Sequence, residues 1–487
     1  MTHGLEVQVR HRPALDPGFL PAVLWNRAYQ ARVRATGGGV ELGIALVRQD
    51  GTTFSHRTRI LPPTAAHAAL NQKYVERLVK LLLWQKGGCT ILVKGCDPVA
   101  RTLAAAYSEK GLRSFDRDLV GRRMFGQFIE VKAVRGKLPA AHETSQPLGR
   151  HLEGCRIGFD LGGSDRKCAA VVDGEVVFSD EVVWNPYFEK DPWYHFSGIN
   201  DTLKRAAAHL PRLDGIGGSA AGVYVNNEPR VGSLYRGIAE PDFDRHIRGL
   251  FHALKAWWGG VPFEVVNDGE VTALAGSMSM KANAVLGYSM GTSVAAGYVT
   301  PDGNITPWLN ELAFVPVDYR DGAPADEWSG DIGCGVQYFS QQAVNRLLPA
   351  AGIEVPAEMP VAERLVEVQK LMAQGDSRAR RIYETIGTCF GYAIAHYADY
   401  YDIQNMLVLG RVTSGEGGEA ILAGARQVLK DEFPAVADKV RLRTPDEKDK
   451  RHGQAIAAAS LPVASAGLAK RERKEILNTR RPLRGRR

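Results

Sequence analysis

Ile157-Gly-Phe-Asp-Leu-Gly-Gly-Ser164 runs from an apolar strand into a glycine turn, and Asp165-Arg-Lys167 leads into a second strand. Adjacent glycines let backbone N–H groups approach phosphate oxygens, because no Cβ stands in the way. Ser164 can add a hydroxyl, and Asp160 at the strand end can hold a metal-bound water beside the same phosphates. A tight hairpin also favours Gly-Gly, so the stretch by itself predicts either a phosphate loop or an ordinary turn.

Strands and helices alternate on both sides of this stretch. Apolar runs predict strands at 90–93, 213–219, 263–268, 284–290, 295–300 and 406–410, and helical periodicity follows or precedes most of them. Before them, residues 40–48 and 53–60 form a hairpin pattern around a turn with Asp-Gly. Such alternation is typical of an α/β fold with layered sheets.

Asn267 and Asp268 stand where an apolar strand runs into a helix. A carboxylate at this position can accept the proton of an attacking hydroxyl, as general-base catalysis of phosphoryl transfer requires. Asp is also a frequent helix N-cap. The pair by itself therefore leaves both roles open for Asp268.

Two more small-residue loops follow strands later in the chain. Met290-Gly-Thr-Ser-Val-Ala-Ala-Gly297 joins two strands and could close over phosphates, and Val408-Leu-Gly-Arg-Val-Thr-Ser-Gly415 could form a wall beside an adenosine. Each signal is common by itself. Their order and spacing together are not.

The combined order resembles the ROK family (repressor, open reading frame, kinase) of the hexokinase, actin and Hsp70 superfamily. The resemblance covers about residues 155–470 and implies an α/β, two-lobed actin/hexokinase-like (ribonuclease H-like) ATP-binding core. It implies ATP and Mg²⁺ as cofactors, with Asp160 holding Mg²⁺ through water. The residues that it assigns to ATP are Asp160, Gly162, Gly163, Ser164, Lys167, Gly291, Thr292, Ser293, Gly410 and Arg411. A side chain added at Gly163 should then remove nucleotide binding and leave the fold intact.

The same resemblance assigns the acceptor site. Asp268 is the catalytic base and Asn267 a sugar contact, while Glu311 matches the family's sugar-binding glutamate. The segment 217–227 lies where the family contacts its substrate, which adds Ser219, Asn226 and Asn227.

Several positions depart from the family pattern. Phe314 stands where the family has a zinc-binding histidine, Val336 replaces a sugar-binding glutamate, and Cys334 is the one cysteine left of the zinc loop. One thiol cannot make a four-ligand zinc site, so we expect no structural zinc. Loss of polar sugar contacts predicts a ligand other than plain glucose, because a site built for a hydroxyl discriminates against ligands that lack it.

Composition bounds the remaining possibilities. The 487 residues are 45% hydrophobic and 24% charged, with six scattered cysteines that we interpret as free buried thiols. The net charge of +7 equals that of residues 470–487, which hold nine Lys/Arg and two Glu. We interpret this basic tail as a solvated terminus. The sequence shows neither a signal peptide nor a membrane span, so we expect a cytoplasmic protein.

We predict four segments. They are an N-terminal α+β region of unknown role (1–150), two lobes of the core (151–285 and 286–470) and the basic tail (471–487). Residues 40–110 repeat the order helix, strand, turn and helix found near residue 405. They are either a degenerate, partial copy of a lobe of the core or a segment with only a generic helix-strand-helix similarity to it.

The predicted function is ATP-dependent phosphorylation of a hydroxyl on a small sugar, polyol or cyclitol-like molecule. The alternative is a non-catalytic ROK-like sensor of a sugar or nucleotide, because the family includes repressors. Residues 1–150 show no compact three-helix unit for DNA binding, so we expect no specific nucleic acid and no membrane as partners. A homodimer is the assembly that we consider.

Overall fold

Strands and helices alternate along the chain, as the sequence pattern predicts. The computed structural model describes residues 5–143, 148–445 and 453–463, so the basic tail predicted at 471–487 lies outside the described residues. The strands are β1 Val40–Val47, β2 Thr53–Ile60, β3 Thr90–Lys94, β4 Glu130–Ala133, β5 Cys155–Leu161, β6 Asp165–Val172, β7 Glu175–Val183, β8 Gly215–Ala220, β9 Val223–Val225, β10 Glu228–Val231, β11 Phe263–Asn267, β12 Val285–Met290, β13 Val294–Val299, β14 Asn405–Leu409 and β15 Arg441–Arg443.

The helices vary from single turns to more than five turns. They are α1 Ala22–Ala35, α2 Ala68–Lys86, α3 Asp97–Ala106, α4 Ser114–Asp116, α5 Pro192–Ala207, α6 Glu240–Asp242, α7 Leu250–Trp257, α8 Asp268–Met280, α9 Val336–Phe339, α10 Gln341–Ala351, α11 Val361–Ala373, α12 Ser377–Ala398, α13 Glu416–Glu432, α14 Pro434–Lys439 and α15 Gly453–Ala459. Short 3₁₀ and π turns lie at Ala65–His67, Arg117–Met124, Ser233–Tyr235, Phe243–Ile247, Leu312–Phe314 and Arg411–Thr413. None of the described helices has both the length and the apolar character needed to cross a membrane.

The chain folds into two compact units. Unit 1 contains Met1–Thr144, Leu286–Ala296 and Pro307–Thr444, and unit 2 contains Ser145–Val285, Gly297–Thr306 and Pro445–Arg487. The N-terminal region therefore belongs to the same unit as most of the chain after residue 307. Our division into domains at residues 150, 285 and 470 stays a prediction.

Unit 2 is built on a five-stranded sheet in the order β11-β8-β5-β6-β7. Strands β5, β6 and β7 form an antiparallel meander, while β5, β8 and β11 run parallel to one another. The main core lies on one face, where Phe159 of β5 packs with Leu203 of α5 and Phe251 of α7. Burial on both faces explains why β5 is apolar along its length rather than alternating.

Helix α15 packs on the opposite face of this sheet, and glycines make its close approach feasible. A Cβ built on Gly158 or Gly217 would lie 1.8 or 1.7 Å from carbonyl oxygens of α15. The buried guanidinium of Arg156 donates to the carbonyl of Pro462, just beyond the helix, at 2.7 Å. The C-terminal helix is thus an integral layer of unit 2.

Unit 1 contains the sheet β2-β1-β3-β4, and the sheet β13-β12-β14-β15 lies mostly within it. The hairpin of β1 and β2 is confirmed, since Val40 pairs with Ile60 and Val47 with Thr53. Helix α2 is almost entirely buried. The six cysteines are free and buried, which confirms that interpretation.

Candidate functional site

The sheet of unit 2 brings four of the predicted residues to one edge. Because β5, β8 and β11 are parallel, their carboxyl ends meet at the same edge, which is where open α/β sheets bind ligands. Asp160 and Ser219 are cross-strand partners, and the Ser219 hydroxyl donates to the Asp160 carboxylate at 2.6 Å. Asn267 ends β11 and Asp268 begins α8.

Asn267, and not Asp268, is the N-cap of α8. Its side-chain oxygen accepts a hydrogen bond from Gly269 N at 2.7 Å, and its amide donates to the carbonyl of Gly222 at 2.7 Å. Asp268 occupies the first helical position and also accepts a hydrogen bond from Gly269 N, at 3.0 Å. The alternative role of Asp268 as a helix N-cap is therefore weakened, because Asn267 already fills the capping position.

The carboxyl of Asp268 is an unusually weak acid. Burial raises its pKa from 3.8 to about 6, and the nearby charge of Asp160 contributes in the same direction. Burial also raises the pKa of Asp160, although the hydrogen bond from Ser219 and the charge of Lys167 partly offset the effect. The charge of Asp160 therefore acts on the Asp268 carboxyl, and two carboxyls with raised pKa values in one region are typical of catalytic and metal-binding sites.

The glycine turn joins β5 to β6 as a tight hairpin. Gly162 N donates to the carbonyl of Asp165 at 2.9 Å. The Asp165 carboxylate accepts a hydrogen bond from Ser164 Oγ at 2.9 Å and pairs with Lys167 Nζ at 3.2 Å. In this arrangement the Asp165 carboxylate binds the Ser164 hydroxyl and the Lys167 ammonium group, both of which we predict to bind phosphate. Asp165 was absent from our predicted site, although the sequence places it directly after Ser164.

A neighbouring side chain lies close to Gly163. A Cβ built on Gly163 would lie 1.8 Å from the Tyr187 hydroxyl and 2.3 Å from the ring carbon that bears it. The Tyr187 ring is in turn covered by the guanidinium of Arg236, 4.1 Å from the ring centroid. A side chain at Gly163 would therefore require the Tyr187 ring to move, and the expectation that the fold stays intact remains a prediction.

Asn226 and Asn227 form the turn of the hairpin between β9 and β10. Their φ angles are 54° and 62°, the left-handed values that a two-residue type I′ turn needs and that Asn tolerates. The Asn227 side chain accepts from Val265 N at 2.6 Å and donates to the carbonyl of Phe263 at 3.0 Å. These bonds to β11 favour a structural role for Asn227, and an Asn-Asn pair between short strands was the signal for it.

Tyr224 is a further residue of this region that we did not predict. It lies in β9, and burial raises the pKa of its phenol well above the ordinary value. The charge of Asp268 contributes to that rise, so the phenol lies within electrostatic reach of the carboxylate.

The remaining predicted ATP contacts lie in unit 1, at the ends of β12 and β14. Gly410 has a φ of 105°, and a Cβ there would lie 2.5 Å from the carbonyl oxygen of Met290. Two loops therefore start side by side, one with Gly291, Thr292 and Ser293, the other with Gly410 and Arg411. The side chains of Thr292, Ser293 and Arg411 are exposed and open to a ligand.

Glu311 and Phe314 also lie in unit 1, on a short turn packed against α2. Glu311 N donates to the carbonyl of Trp84 at 3.0 Å, and the Phe314 ring stacks on Trp84 with centroids 4.2 Å apart. Phe115 and Trp328 complete this aromatic cluster. The position where the family has a histidine is thus filled by an apolar contact with the N-terminal region.

A buried ionic cluster holds the loop that contains Cys334. Asp331 pairs with Lys80 at 3.0 Å and with Arg113 at 2.6 Å, and Lys80 also pairs with Asp116 at 3.0 Å. All of these charges are almost completely buried. Burial raises the pKa of the Cys334 thiol, and its Sγ donates to the Asp331 carboxylate at 3.4 Å. Among the described residues, no group of three His, Cys, Asp or Glu side chains is arranged to hold a metal.

Comparison with known proteins shows the fold. No protein-family model and no curated protein sequence matches the chain. A solved ROK family transcriptional regulator, a homologue of the E. coli MLC protein, aligns over 74% of this chain and 87% of its own with a TM-score of 0.51 at 17% identity. A ROK hexokinase from Thermus thermophilus aligns over 63% and 97% with a TM-score of 0.49 at 18% identity. The α/β fold of ROK proteins is therefore confirmed.

Proposed function

We propose that the chain is a ROK family phosphotransferase that moves the γ-phosphoryl group of ATP to a hydroxyl of a small sugar, polyol or cyclitol-like molecule. One observation carries this proposal. Asp268 lies at the carboxyl edge of the unit 2 sheet, half-buried and beside Asp160, while Asn267 performs the capping role that would otherwise explain it.

Asp268 is suited to act as a general base. With a pKa of about 6, its carboxyl is ionised at neutral pH and is still more basic than an ordinary aspartate. General-base efficiency is best when the pKa lies near the working pH. The carboxylate would accept the proton of the acceptor hydroxyl as its oxygen attacks the phosphorus and the bond to the ADP leaving group breaks.

Asp160 and its surroundings fit Mg²⁺. Mg²⁺ is usually held by one or two carboxylates, several waters and substrate phosphates rather than by a protein cage. A cation beside Asp160 would offset the negative charge that raises the pKa of Asp268. When bound, Mg²⁺ would neutralise charge on the transferring phosphoryl group.

Nucleotide contacts are proposed in each unit. In unit 2, we propose the turn at Gly162, Gly163 and Ser164, with Lys167 as a cation. Gly162 N already donates to the carbonyl of Asp165, which leaves the N–H groups of Gly163 and Ser164 as the candidate phosphate donors. In unit 1, the exposed loops at Gly291-Thr-Ser293 and Gly410-Arg411 are proposed for the nucleotide as well. The Asp165 carboxylate would have to release Ser164 and Lys167 when phosphate binds, because both groups otherwise face an anion.

We propose that the acceptor makes fewer polar contacts with this chain than a plain hexose makes with the sugar kinases of the family. The candidate acceptor contacts are Ser219, Asn226, Asn267 and Glu311. The Asn227 side chain instead forms hydrogen bonds with the backbone of β11. Phe314 is buried in an aromatic cluster and offers no hydrogen bond. These substitutions favour a deoxy sugar, polyol or cyclitol over glucose.

A non-catalytic sensor is the second candidate. The solved structure with a TM-score above 0.5 is a transcriptional regulator, so the fold by itself does not require catalysis. The two functions differ in whether Asp268 is needed for turnover or only for binding.

A screen for ATP consumption tests the proposal. Purified full-length protein is incubated with Mg-ATP and single hexoses, amino sugars, polyols or cyclitols, and products are identified by mass. We expect a gain of one phosphoryl group on one acceptor class, abolished in Asp268→Asn. Acceptor binding without any phosphorylated product would favour the sensor.

A further inference from the structure

A groove in unit 1 shares no lining residue with the proposed phosphoryl-transfer site. It is formed by β2, the C-terminal end of α2, the turn after α12 and the end of α14, and its volume is about 520 Å³. This volume is within the usual range for small-molecule sites. Phe54, Ser55 and His56 form one side, and Asp399 and Tyr400 form the other.

Gln85 lines the groove with an unsatisfied acceptor. The residue has 0% of its surface exposed, and its Nε2 donates to the carbonyl of Tyr400 at 2.9 Å. Its Oε1 receives no hydrogen bond from the described residues. Buried polar atoms in native proteins nearly always have a partner, so an exception indicates a missing ligand or water. A flip of the amide does not help, because the Tyr400 carbonyl needs a donor.

The charges around the groove are compensated within the protein. Asp402 pairs with Lys439 at 2.6 Å, and Asp399 lies 3.9 Å from Arg27. Burial lowers the pKa of His56, and the positive charge of Lys86 lowers it further, so the imidazole is neutral. A strongly charged ligand would therefore lack an unpaired counter-ion here.

The polar groups suit hydroxyls. Gln85 Oε1 and the Asp399 carboxylate accept hydrogen bonds. The Ser55 hydroxyl donates to the carbonyl of Pro139 at 3.3 Å and can accept a bond from a ligand, and the neutral His56 ring can donate or accept according to its tautomer. The His56 and Tyr400 rings, with centroids 6.1 Å apart and planes tilted by 35°, add aromatic ring surface. A ligand that both donates and accepts while presenting C–H surface to the rings matches this lining.

We propose that this groove is a second binding site, for a neutral polyhydroxylated ligand of the sugar or polyol class, with one ligand hydroxyl donating to Gln85 Oε1. The site does not depend on the phosphoryl-transfer proposal. It shares no residue with the acceptor or nucleotide sites.

The test is titration calorimetry of the full-length protein with sorbitol, myo-inositol, D-glucose and D-galactose. Four variants are compared: Gln85→Met, Asp399→Asn, Asp268→Asn and Gln72→Met. Gln85→Met keeps the length and removes the acceptor, and the exposed Asp399 can be changed without disturbing the core. Gln72→Met is the matched control, because Gln72 lies on the same helix but outside the groove.

We expect at least one probe to bind the parent protein, Asp268→Asn and Gln72→Met alike. Binding of that probe should weaken at least tenfold in both Gln85→Met and Asp399→Asn, as loss of a polar partner implies. The proposal is overturned if no probe binds at millimolar concentration, which would mean that water satisfies Gln85. It is also overturned if binding is lost in Asp268→Asn and kept in the two groove variants, which would assign all binding to the acceptor site.

Discussion

Asp268→Asn should make the protein more stable and abolish its proposed activity. The pKa of the carboxyl is raised from 3.8 to about 6, first by burial and then by the charge of Asp160. Each pH unit of this difference corresponds to about 1.36 kcal/mol, so the ionised carboxylate costs up to about 3 kcal/mol in the folded state. Because Asp268 is half-buried rather than enclosed, we expect a gain of about 1–3 kcal/mol in the neutral variant.

The pH dependence gives this prediction its sign. The folded-state pKa lies above the unfolded value, so the folded protein holds its proton over a range in which the unfolded chain has lost it. Stability from this group is therefore complete below the unfolded value of 3.8, falls as pH rises towards about 6, and is constant above that. Urea unfolding of the parent and Asp268→Asn should coincide at the acid end and separate through this window.

Activity provides the second readout. A general base contributes about 10²- to 10⁴-fold, so turnover should fall by that factor in Asp268→Asn while ATP affinity changes little. In the parent, the rate should rise with pH through about 6, since only the ionised form accepts a proton. ATP consumption with the acceptor found by screening measures both effects.

Asp376→Asn is the matched control. Asp376 is the N-cap of α12, accepts from Arg378 N at 2.8 Å, and has a pKa lowered to about 2 by Arg378. Its replacement should give no stability gain at neutral pH, since the sign of its pKa shift is opposite. If Asp268→Asn is folded, no more stable than the parent and retains most of its turnover, the assignment of Asp268 as a general base with a raised pKa is refuted.

Three further outcomes are expected. Gly163→Ala should lower both nucleotide affinity and thermal stability, because the new Cβ would lie 1.8 Å from the Tyr187 hydroxyl. Adding Tyr187→Ala in the same chain should restore the stability. Calorimetry measures the nucleotide affinity and thermal melting measures the stability. Lys80→Met should cost about 3–5 kcal/mol in urea unfolding because it breaks a buried ion pair, whereas Lys73→Met, at a partly exposed pair, should cost at most about 1 kcal/mol. Elemental analysis of purified protein should find less than stoichiometric zinc, and a tightly held equivalent ligated by Cys334 would contradict the expected absence of a zinc site.

Local patterns predicted the elements that carry the site. The strand that contains Asp160 and the strand that leads to Asp268 are apolar runs bounded by glycine or polar residues. Such runs can be recognised in a sequence without knowing the fold. Their meeting at one edge needed the family resemblance, because parallel pairing of β5, β8 and β11 joins segments about 50 residues apart or more.

Side-chain contacts across loops could not be predicted from the sequence. The approach of Tyr187 to Gly163 depends on how the loop after β7 folds back, and the grip of Asp165 on Ser164 and Lys167 depends on the twist of the hairpin. Neither leaves a periodic signal. The role of Asn227 in β9–β10 was available in principle, since Asn-Asn is a type I′ turn signal, but the family comparison favoured a substrate contact.

Helix α2 of the N-terminal region packs against the two segments that the resemblance aligns with the family's zinc site. Phe314, which the resemblance aligns with the family's histidine, stacks on Trp84 of α2, and Asp331, in the loop around Cys334, pairs with Lys80 of the same helix. The helix contacts the first segment through an apolar stack and the second through an ion pair. Because α2 also accepts the backbone N–H of Glu311, it fixes the turn on which a candidate substrate contact lies. Helix α2 is therefore part of the structure that positions Glu311, although it lies outside the segment covered by the resemblance.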